Sequence, residues 1–277
     1  MRTVRITSAD NKAVKTAKKL LTKKGRDSLG YYLIEGPKLF AEALDNDADI
    51  LFAFFCEETA DVAESLLSRR RALAEKAARA GADVLLTTER IFRGISGAET
   101  PQGVLAAVKK PVCGAETLFS RAGANILVLD RLQDPGNIGS LIRTADAAGF
   151  GGVMAAAGTC DPYGPKAVRA AAGALFRAPV LFVRDADEAA DLLAAAGKRV
   201  AVADACGAVS CYDADLARDI ALVIGNEGGG PSKAFAENAF VTVGIPMPGG
   251  AESLNAAAAA AILMFESVRQ QRGAARQ

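Results

Sequence analysis

The sequence predicts an α/β protein, with a parallel sheet between helix layers in the second half of the chain and a smaller α/β unit before it. Three observations carry this. Six short apolar runs beyond residue 120 are continuous rather than alternating, as strands are when both faces are covered. Helix-like segments separate most of them, the spacing of strand–helix–strand crossovers. Lys109-Lys110-Pro111-Val112-Cys113-Gly114 precedes them, with paired charges, Pro and Gly and no periodicity, and reads as a linker. The 277 residues therefore divide into a first domain at 1–108, a linker at 109–120 and a second domain at 121–277.

The elements of the first domain follow in order. Ala13, Val14, Ala17, Leu20 and Leu21 recur at helical spacing, and lysines fill the other faces, so Asp10 to Gly25 is expected to be one basic helix ended by its glycine. Tyr31-Tyr32-Leu33-Ile34 reads as a strand, Glu35-Gly36-Pro37 as a break, and Lys38 to Leu44 as a helix. Ile50 to Phe55 is a buried-strand candidate. A long helix pattern runs from about Ala60 to Ala80 and stops at Gly81. Val84-Leu85-Leu86 and Gly103 to Val108 are further strands. In the second domain the strands are Ile126 to Leu129, Gly152 to Ala155, Val180 to Val183, Val200 to Ala203, Ala221 to Ile224 and Phe240 to Val243. A final helix is expected to start at Glu252 or Ser253 and run to about Gln271.

Composition excludes several classes of function. Hydrophobic residues make up 51% and charged residues 23%, the balance of a globular protein rather than a disordered one. The chain has no His, which removes Ser-His-Asp and Cys-His catalysis. Its five cysteines form no C-x-x-C pair and point to reduced thiols without a metal. Met1 to Ile6 lacks the apolar core of a signal peptide, and no apolar run reaches the roughly 20 residues of a membrane span, so a cytoplasmic location is expected. A net charge of +1 gives no global attraction to nucleic acid, so its distribution matters more, and the N-terminal helix is basic.

Three turns stand out chemically. Each joins a strand-like run to a polar or glycine-rich segment, and such turns gather at the carboxyl edge of a parallel sheet, where ligands bind. The first is Asp134-Pro135-Gly136-Asn137, opening a helix that carries Arg143. The second is Gly225-Asn226-Glu227-Gly228-Gly229-Gly230, where four glycines in six residues let backbone approach a ligand closely around one acid. It lacks the Lys of a phosphate-binding P-loop. The third runs from Ile245-Pro246-Met247 to Ser253-Leu254-Asn255, at the start of the final helix.

In this order the three runs resemble the motifs of the SpoU (TrmH) family of RNA ribose 2′-O-methyltransferases, within the SPOUT superfamily. The matching residues are Asn137-x-Gly139-x-x-x-Arg143-Thr144, then Gly225-Asn226-Glu227-Gly228-x-Gly230, then Ile245-Pro246-Met247 through Ser253-Leu254-Asn255. The basic helix followed by Tyr31 to Gly36 is similar, more loosely, to the family's small L30e-like substrate-binding domain. The resemblance implies a SPOUT-type parallel sheet with a deep trefoil knot, a homodimer through the second domain, and S-adenosyl-L-methionine bound in a bent form. It implies Gly225, Ile245, Leu254, Met247 and Ala203 as cofactor-binding residues, and Arg143, Glu227, Asn137, Ser253 and Asn255 as the catalytic set.

The implied substrate is structured RNA, with 23S ribosomal RNA favoured because the extra N-terminal domain resembles that of the ribosomal RNA enzymes. A transfer RNA methyltransferase and an inactive RNA-binding protein are the other readings, and the intact motifs argue against the second. Lys12, Lys15, Lys19, Lys23 and Arg26 are the expected phosphate contacts. Tyr31 and Tyr32 are candidates to stack on a base, and Lys166, Arg169 and Arg177 are further candidates for phosphate.

Overall fold

A computed structural model describes residues 3–57 and 64–274, which form two compact units. The first comprises residues up to Pro111 together with Asp161–Phe176, and the second comprises Val112–Cys160 and the chain from Arg177 onward. The helix pattern expected from Ala60 begins outside the described residues.

The strands are β1 (Thr3–Ile6), β2 (Tyr31–Glu35), β3 (Ile50–Cys56), β4 (Asp83–Thr87), β5 (Val104–Lys109), β6 (Ile126–Leu129), β7 (Gly152–Ala156), β8 (Val180–Val183), β9 (Arg199–Ala203), β10 (Val209–Ser210), β11 (Ile220–Ile224) and β12 (Ala239–Gly244). The helices are α1 (Lys12–Leu20), α2 (Lys23–Leu29), α3 (Pro37–Asp45), α4 (Glu64–Arg79), α5 (Glu89–Arg93), α6 (Ala115–Leu118), α7 (Pro135–Ala147), α8 (Pro165–Ala171), α9 (Ala186–Ala195), α10 (Lys233–Glu237) and α11 (Ala256–Ala274).

In the first unit a five-stranded sheet runs β1-β4-β3-β5-β2, with β5 antiparallel to both its neighbours. The basic segment ahead of it is two helices, not the one expected. Asn11 caps α1 by accepting from the Ala13 N–H at 2.8 Å, and Val14, Ala17 and Leu20 pack inward beneath exposed lysines. The chain then turns, and Thr22 caps α2 by accepting from the Gly25 N–H at 3.1 Å. Gly25 therefore sits in the first turn of α2 instead of ending a helix. A Cβ there would fall 1.9 Å from the Lys19 carbonyl oxygen, so the close crossing of α1 and α2 is what needs the glycine. The residue that ends α2 is Gly30, at φ 72°.

Segment Asp161–Phe176, expected with the second domain, belongs to the first unit. Two contacts hold it there. Arg26 and Asp161 form a buried ion pair, with Nε and Nη2 reaching Oδ2 at 2.8 and 2.7 Å. Tyr163 packs on Tyr32 with ring centroids 5.0 Å apart. Burial, with Tyr163 alongside, pushes the Tyr32 phenol well above its ordinary pKa.

The second unit is a seven-stranded sheet, ordered β10-β12-β9-β11-β6-β7-β8, in which every pairing is parallel. The expected apolar runs form its strands, and the two-residue β10 was not foreseen. Val128, Met154, Val202 and Val223 meet in its core, as full coverage of both faces requires. Buried Asn125 fixes α11 to this unit, donating to Ser267 Oγ at 2.7 Å while accepting from the Ile220 N–H at 2.9 Å. Among the described residues no helix is long and apolar enough to cross a membrane.

Candidate functional site

Strands β12, β9, β11 and β6 are consecutive neighbours and run the same way, so the turns that leave them collect along one sheet edge. These turns line a cavity of 550 Å³, within the roughly 300–1,000 Å³ usual for small-molecule sites.

The turn after β6 is shaped by local capping. Asp134 caps α7 by accepting from the Asn137 N–H at 2.8 Å, with Pro135 in the first helical turn, where its missing N–H costs nothing. The turn after β11 is closed by paired backbone hydrogen bonds between Asn226 and Gly230, at 3.1 and 3.0 Å. Asn226 Oδ1 accepts from the N–H groups of Gly228 and Gly229 at 3.0 and 2.8 Å, so the glycine loop is folded around an asparagine. Gly225 lies against the loop's far end, and a Cβ on it would stand 2.6 Å from Pro231 N.

A second set of bonds ties this loop to the end of β6. The Asp130 carboxylate is fully buried and accepts from the Ser232 N–H at 2.5 Å and from Ser232 Oγ at 2.7 Å. Arg131, at φ 59°, donates to the Gly230 carbonyl at 2.9 Å, and Asn226 Nδ2 donates to the Arg131 carbonyl at 2.9 Å. The loop tip carrying Glu227 is thereby held beside the start of α7. Asp130 and Arg131 were not among the expected site residues; their role depends on partners about a hundred positions away in sequence.

The third turn starts α11 later than expected. Asn255 is the cap, with Oδ1 accepting from the Ala257 and Ala258 N–H groups at 2.9 and 3.3 Å. Its Nδ2 donates to Asn137 Oδ1 at 2.9 Å, and Asn137 Nδ2 donates to Glu227 Oε1 at 3.2 Å. One hydrogen-bond chain, Asn255 to Asn137 to Glu227, thus joins all three turns across 118 and 90 positions of sequence.

The expected cofactor residues Ala203, Gly225, Ile245, Met247 and Leu254 all line the cavity. Of the expected catalytic residues, Asn137, Glu227, Ser253 and Asn255 do so as well. Arg143 does not line it. It is exposed on α7, and its guanidinium has no hydrogen-bond or ion-pair partner among the described residues. Asp204 was missed, although a carboxylate directly after an apolar strand was a usable signal. Asp204 and Glu227 are the charged residues of the lining, which includes no Lys or Arg. Such a site repels phosphates and suits a ligand that is cationic or rich in hydroxyl and amine donors.

The expected phosphate contacts divide. Lys12, Lys15, Lys19 and Lys23 are exposed, and Lys15 pairs with Asp10 at 2.9 Å. Arg26 is buried and spends its donors on Asp161 and the carbonyls of Leu20 and Leu21. Tyr32 is buried as well, which takes its ring out of reach of a base. Arg169 donates to the Gly97 carbonyl at 3.2 Å, and Arg177 makes two hydrogen bonds to Asp146. Among the described residues no group of His, Cys, Asp and Glu is arranged to hold a metal ion.

Comparison with known proteins agrees with this geometry. The model of the SpoU rRNA Methylase family matches residues 124–265, and that of the MRM3-like substrate binding domain matches residues 11–106. The chain is 34% identical over 260 residues to the 23S rRNA (guanosine(2553)-2′-O)-methyltransferase RlmP of Bacillus subtilis, covering 94% of this chain and 97% of that one. It is structurally similar to the AdoMet-bound rRNA methyltransferase from Sinorhizobium meliloti, with TM-score 0.84, 30% identity and coverage of 97% and 98%. The SpoU methyltransferase AviRb from Streptomyces viridochromogenes, in complex with the cofactor AdoMet, gives TM-score 0.82 at 29% identity, covering 95% and 100%.

Proposed function

The chain belongs to the SpoU rRNA methylase family, and from that premise we propose that it transfers the methyl group of S-adenosylmethionine to a ribose 2′-hydroxyl of 23S ribosomal RNA. The observation that carries this reading is the hydrogen-bond chain Asn255–Asn137–Glu227, set in a cavity whose lining offers two carboxylates and no cation. That lining fits a sulfonium cofactor better than a phosphate-bearing one. When bound, S-adenosylmethionine supplies an electrophilic methyl carbon. The chain's own residues do the rest.

Gly225 and the loop it closes hold backbone close to the ligand, while Ile245, Met247 and Leu254 form an apolar wall. Glu227 and Asn137 orient the attacking hydroxyl, and Ser253, whose own hydroxyl is unused among the described residues, is available to the ligand. A guanidinium stays protonated in proteins, so Arg143 serves as a positive charge for the RNA phosphate and the developing alkoxide rather than as a base. The proton leaves to water or to an RNA phosphate oxygen.

The first unit serves as the RNA-binding domain, supported by its match to the substrate-binding family and by the exposed lysines of α1 and α2. The reading includes a cytoplasmic homodimer through the second unit. Ile262 and Phe265 of α11, 37% and 50% exposed, support an interface there. It also includes the family's trefoil knot around the loops after β11 and β12.

Purified protein, labelled S-adenosylmethionine and 23S ribosomal RNA test the reaction directly, with the modified nucleotide mapped by 2′-O-methylation profiling. Methylation of transfer RNA alone would overturn the substrate, and no transfer to any RNA would overturn the activity. Two variants check the parts. Gly225→Ala places a methyl group against Pro231 and Gly230, and overpacking of about 1–3 kcal/mol in the bound loop is expected to weaken cofactor binding about 5- to 150-fold by calorimetry. The double variant Lys19→Ala/Lys23→Ala is expected to lower the slope of log Kobs against log salt by about 1.5, the loss of two phosphate contacts. An unchanged slope would exclude these lysines from the RNA interface.

A further inference from the structure

Asp204 lines the cavity and has so far been given no contact there beyond its charge. We infer that its carboxylate reads the vicinal hydroxyls of the cofactor's ribose, an inference that rests on the S-adenosylmethionine reading.

Sheet register fixes where Asp204 emerges. Ala203, the residue before it, pairs with Ile224 of β11 on one side and with Val243 of β12 on the other. Asp204 therefore leaves the sheet between the strands that feed the Gly225 and Ile245 loops. Asn137 follows β6, two strands away, so at about 4.8 Å per strand the two strand ends stand about 10 Å apart. The Asn137–Glu227–Asn255 group holds the reacting end, and Asp204 lines the same cavity from the end of β9 without a hydrogen bond to that group among the described residues.

The turn that carries Asp204 is held in place. Its N–H donates to the Val243 carbonyl at 3.1 Å, and its carbonyl accepts from the Gly207 N–H at 3.0 Å. Gly207 lies so close to β12 that a Cβ on it would come within 2.3 Å of Gly244 N. The side chain is oriented too, since Oδ1 accepts from the Cys206 N–H at 2.8 Å. Oδ2 has no partner, and no cation pairs with the carboxylate, among the described residues. An oriented carboxylate with a spare oxygen, at a strand's carboxyl end in an open parallel sheet, is suited to a sugar diol, whose two O–H groups both donate.

Calorimetry with Asp204→Asn tests this, because the amide oxygen keeps the turn's acceptor while the charge is lost. Three ligands are used: S-adenosylmethionine, S-adenosylhomocysteine, which lacks the sulfonium charge, and the 2′,3′-dideoxy analogue of the latter. Asp204→Asn is expected to bind S-adenosylhomocysteine about 10-fold more weakly than wild type, the scale of one hydrogen bond to a charged acceptor. The dideoxy analogue is expected to bind wild type and variant equally. Equal binding of S-adenosylhomocysteine by both proteins would overturn the inference. So would a loss confined to S-adenosylmethionine, which would mark attraction to the sulfonium instead of recognition of the sugar. If wild type binds neither S-adenosylmethionine nor S-adenosylhomocysteine, the methyltransferase reading itself fails, and that result is distinguishable from either of these.

Discussion

Replacing Glu227 by Ala is expected to slow methyl transfer about 10²–10³-fold in single-turnover measurements, the range for losing one positioned polar group at a reacting centre. Glu227 sits at the tip of the glycine loop and is the acceptor at the end of the chain from Asn255 through Asn137. Its removal leaves Asn137 Nδ2 without that partner and leaves the attacking hydroxyl unoriented. Affinity for S-adenosylhomocysteine, which lacks the sulfonium charge, is expected to change little, because the loop's shape depends on other contacts. These are the Asn226–Gly230 backbone pair, the Asp130–Ser232 bonds and the Arg131–Gly230 bond. A rate within tenfold of wild type would remove Glu227 from the reacting centre. Arg143→Ala is the informative comparison, since Arg143 stands outside the cavity lining and its loss should spare cofactor binding altogether. Near-normal turnover by Arg143→Lys would show that a point charge suffices and that the guanidinium fork has no special part.

The second large effect is on stability. Arg26→Ala is expected to destabilise the first unit by about 3–5 kcal/mol in denaturant unfolding, because it leaves the Asp161 carboxylate buried without its cation. Two backbone carbonyls, of Leu20 and Leu21, lose their donor in the same step. Both partners of the pair are less than a tenth exposed, so solvent cannot compensate the charge. A double variant, Arg26→Met with Asp161→Leu, is expected to recover most of the loss, since apolar replacement of both partners avoids an unpaired buried charge. Lys19→Ala, on the exposed face of α1, is expected to stay within about 0.5 kcal/mol of wild type. A loss below about 1 kcal/mol for Arg26→Ala would mean that water reaches Asp161, and the burial argument would fail.

That pair also illustrates what a sequence conceals. Arg26 follows six lysines in a basic run and reads there as one more phosphate contact, because its partner lies 135 positions later. Tyr32 is concealed in the same way by Tyr163, and Gly25 by the carbonyl of Lys19 on a helix that had not been separated from its own. In each case the deciding contact is made by another segment, and composition and periodicity report only on the residue's own neighbourhood.

The parallel sheet was legible because its strands are buried on both faces, and that constraint writes itself into consecutive residues. The three turns were legible because a strand-to-helix junction needs caps and glycines at fixed local spacing. The sequence by itself therefore determined the fold class and the three turns, and through their motifs the chemistry they serve. Only the tertiary structure decided that Asn255, Asn137 and Glu227 form one hydrogen-bonded chain and that Asp204 faces the same cavity. It also decided that Arg143 is exposed on α7 outside the cavity lining and that Arg26 is spent inside the fold. The physical reason is the same throughout: capping and burial are local rules, whereas which polar groups meet depends on strand order and register, which no stretch of neighbouring residues encodes.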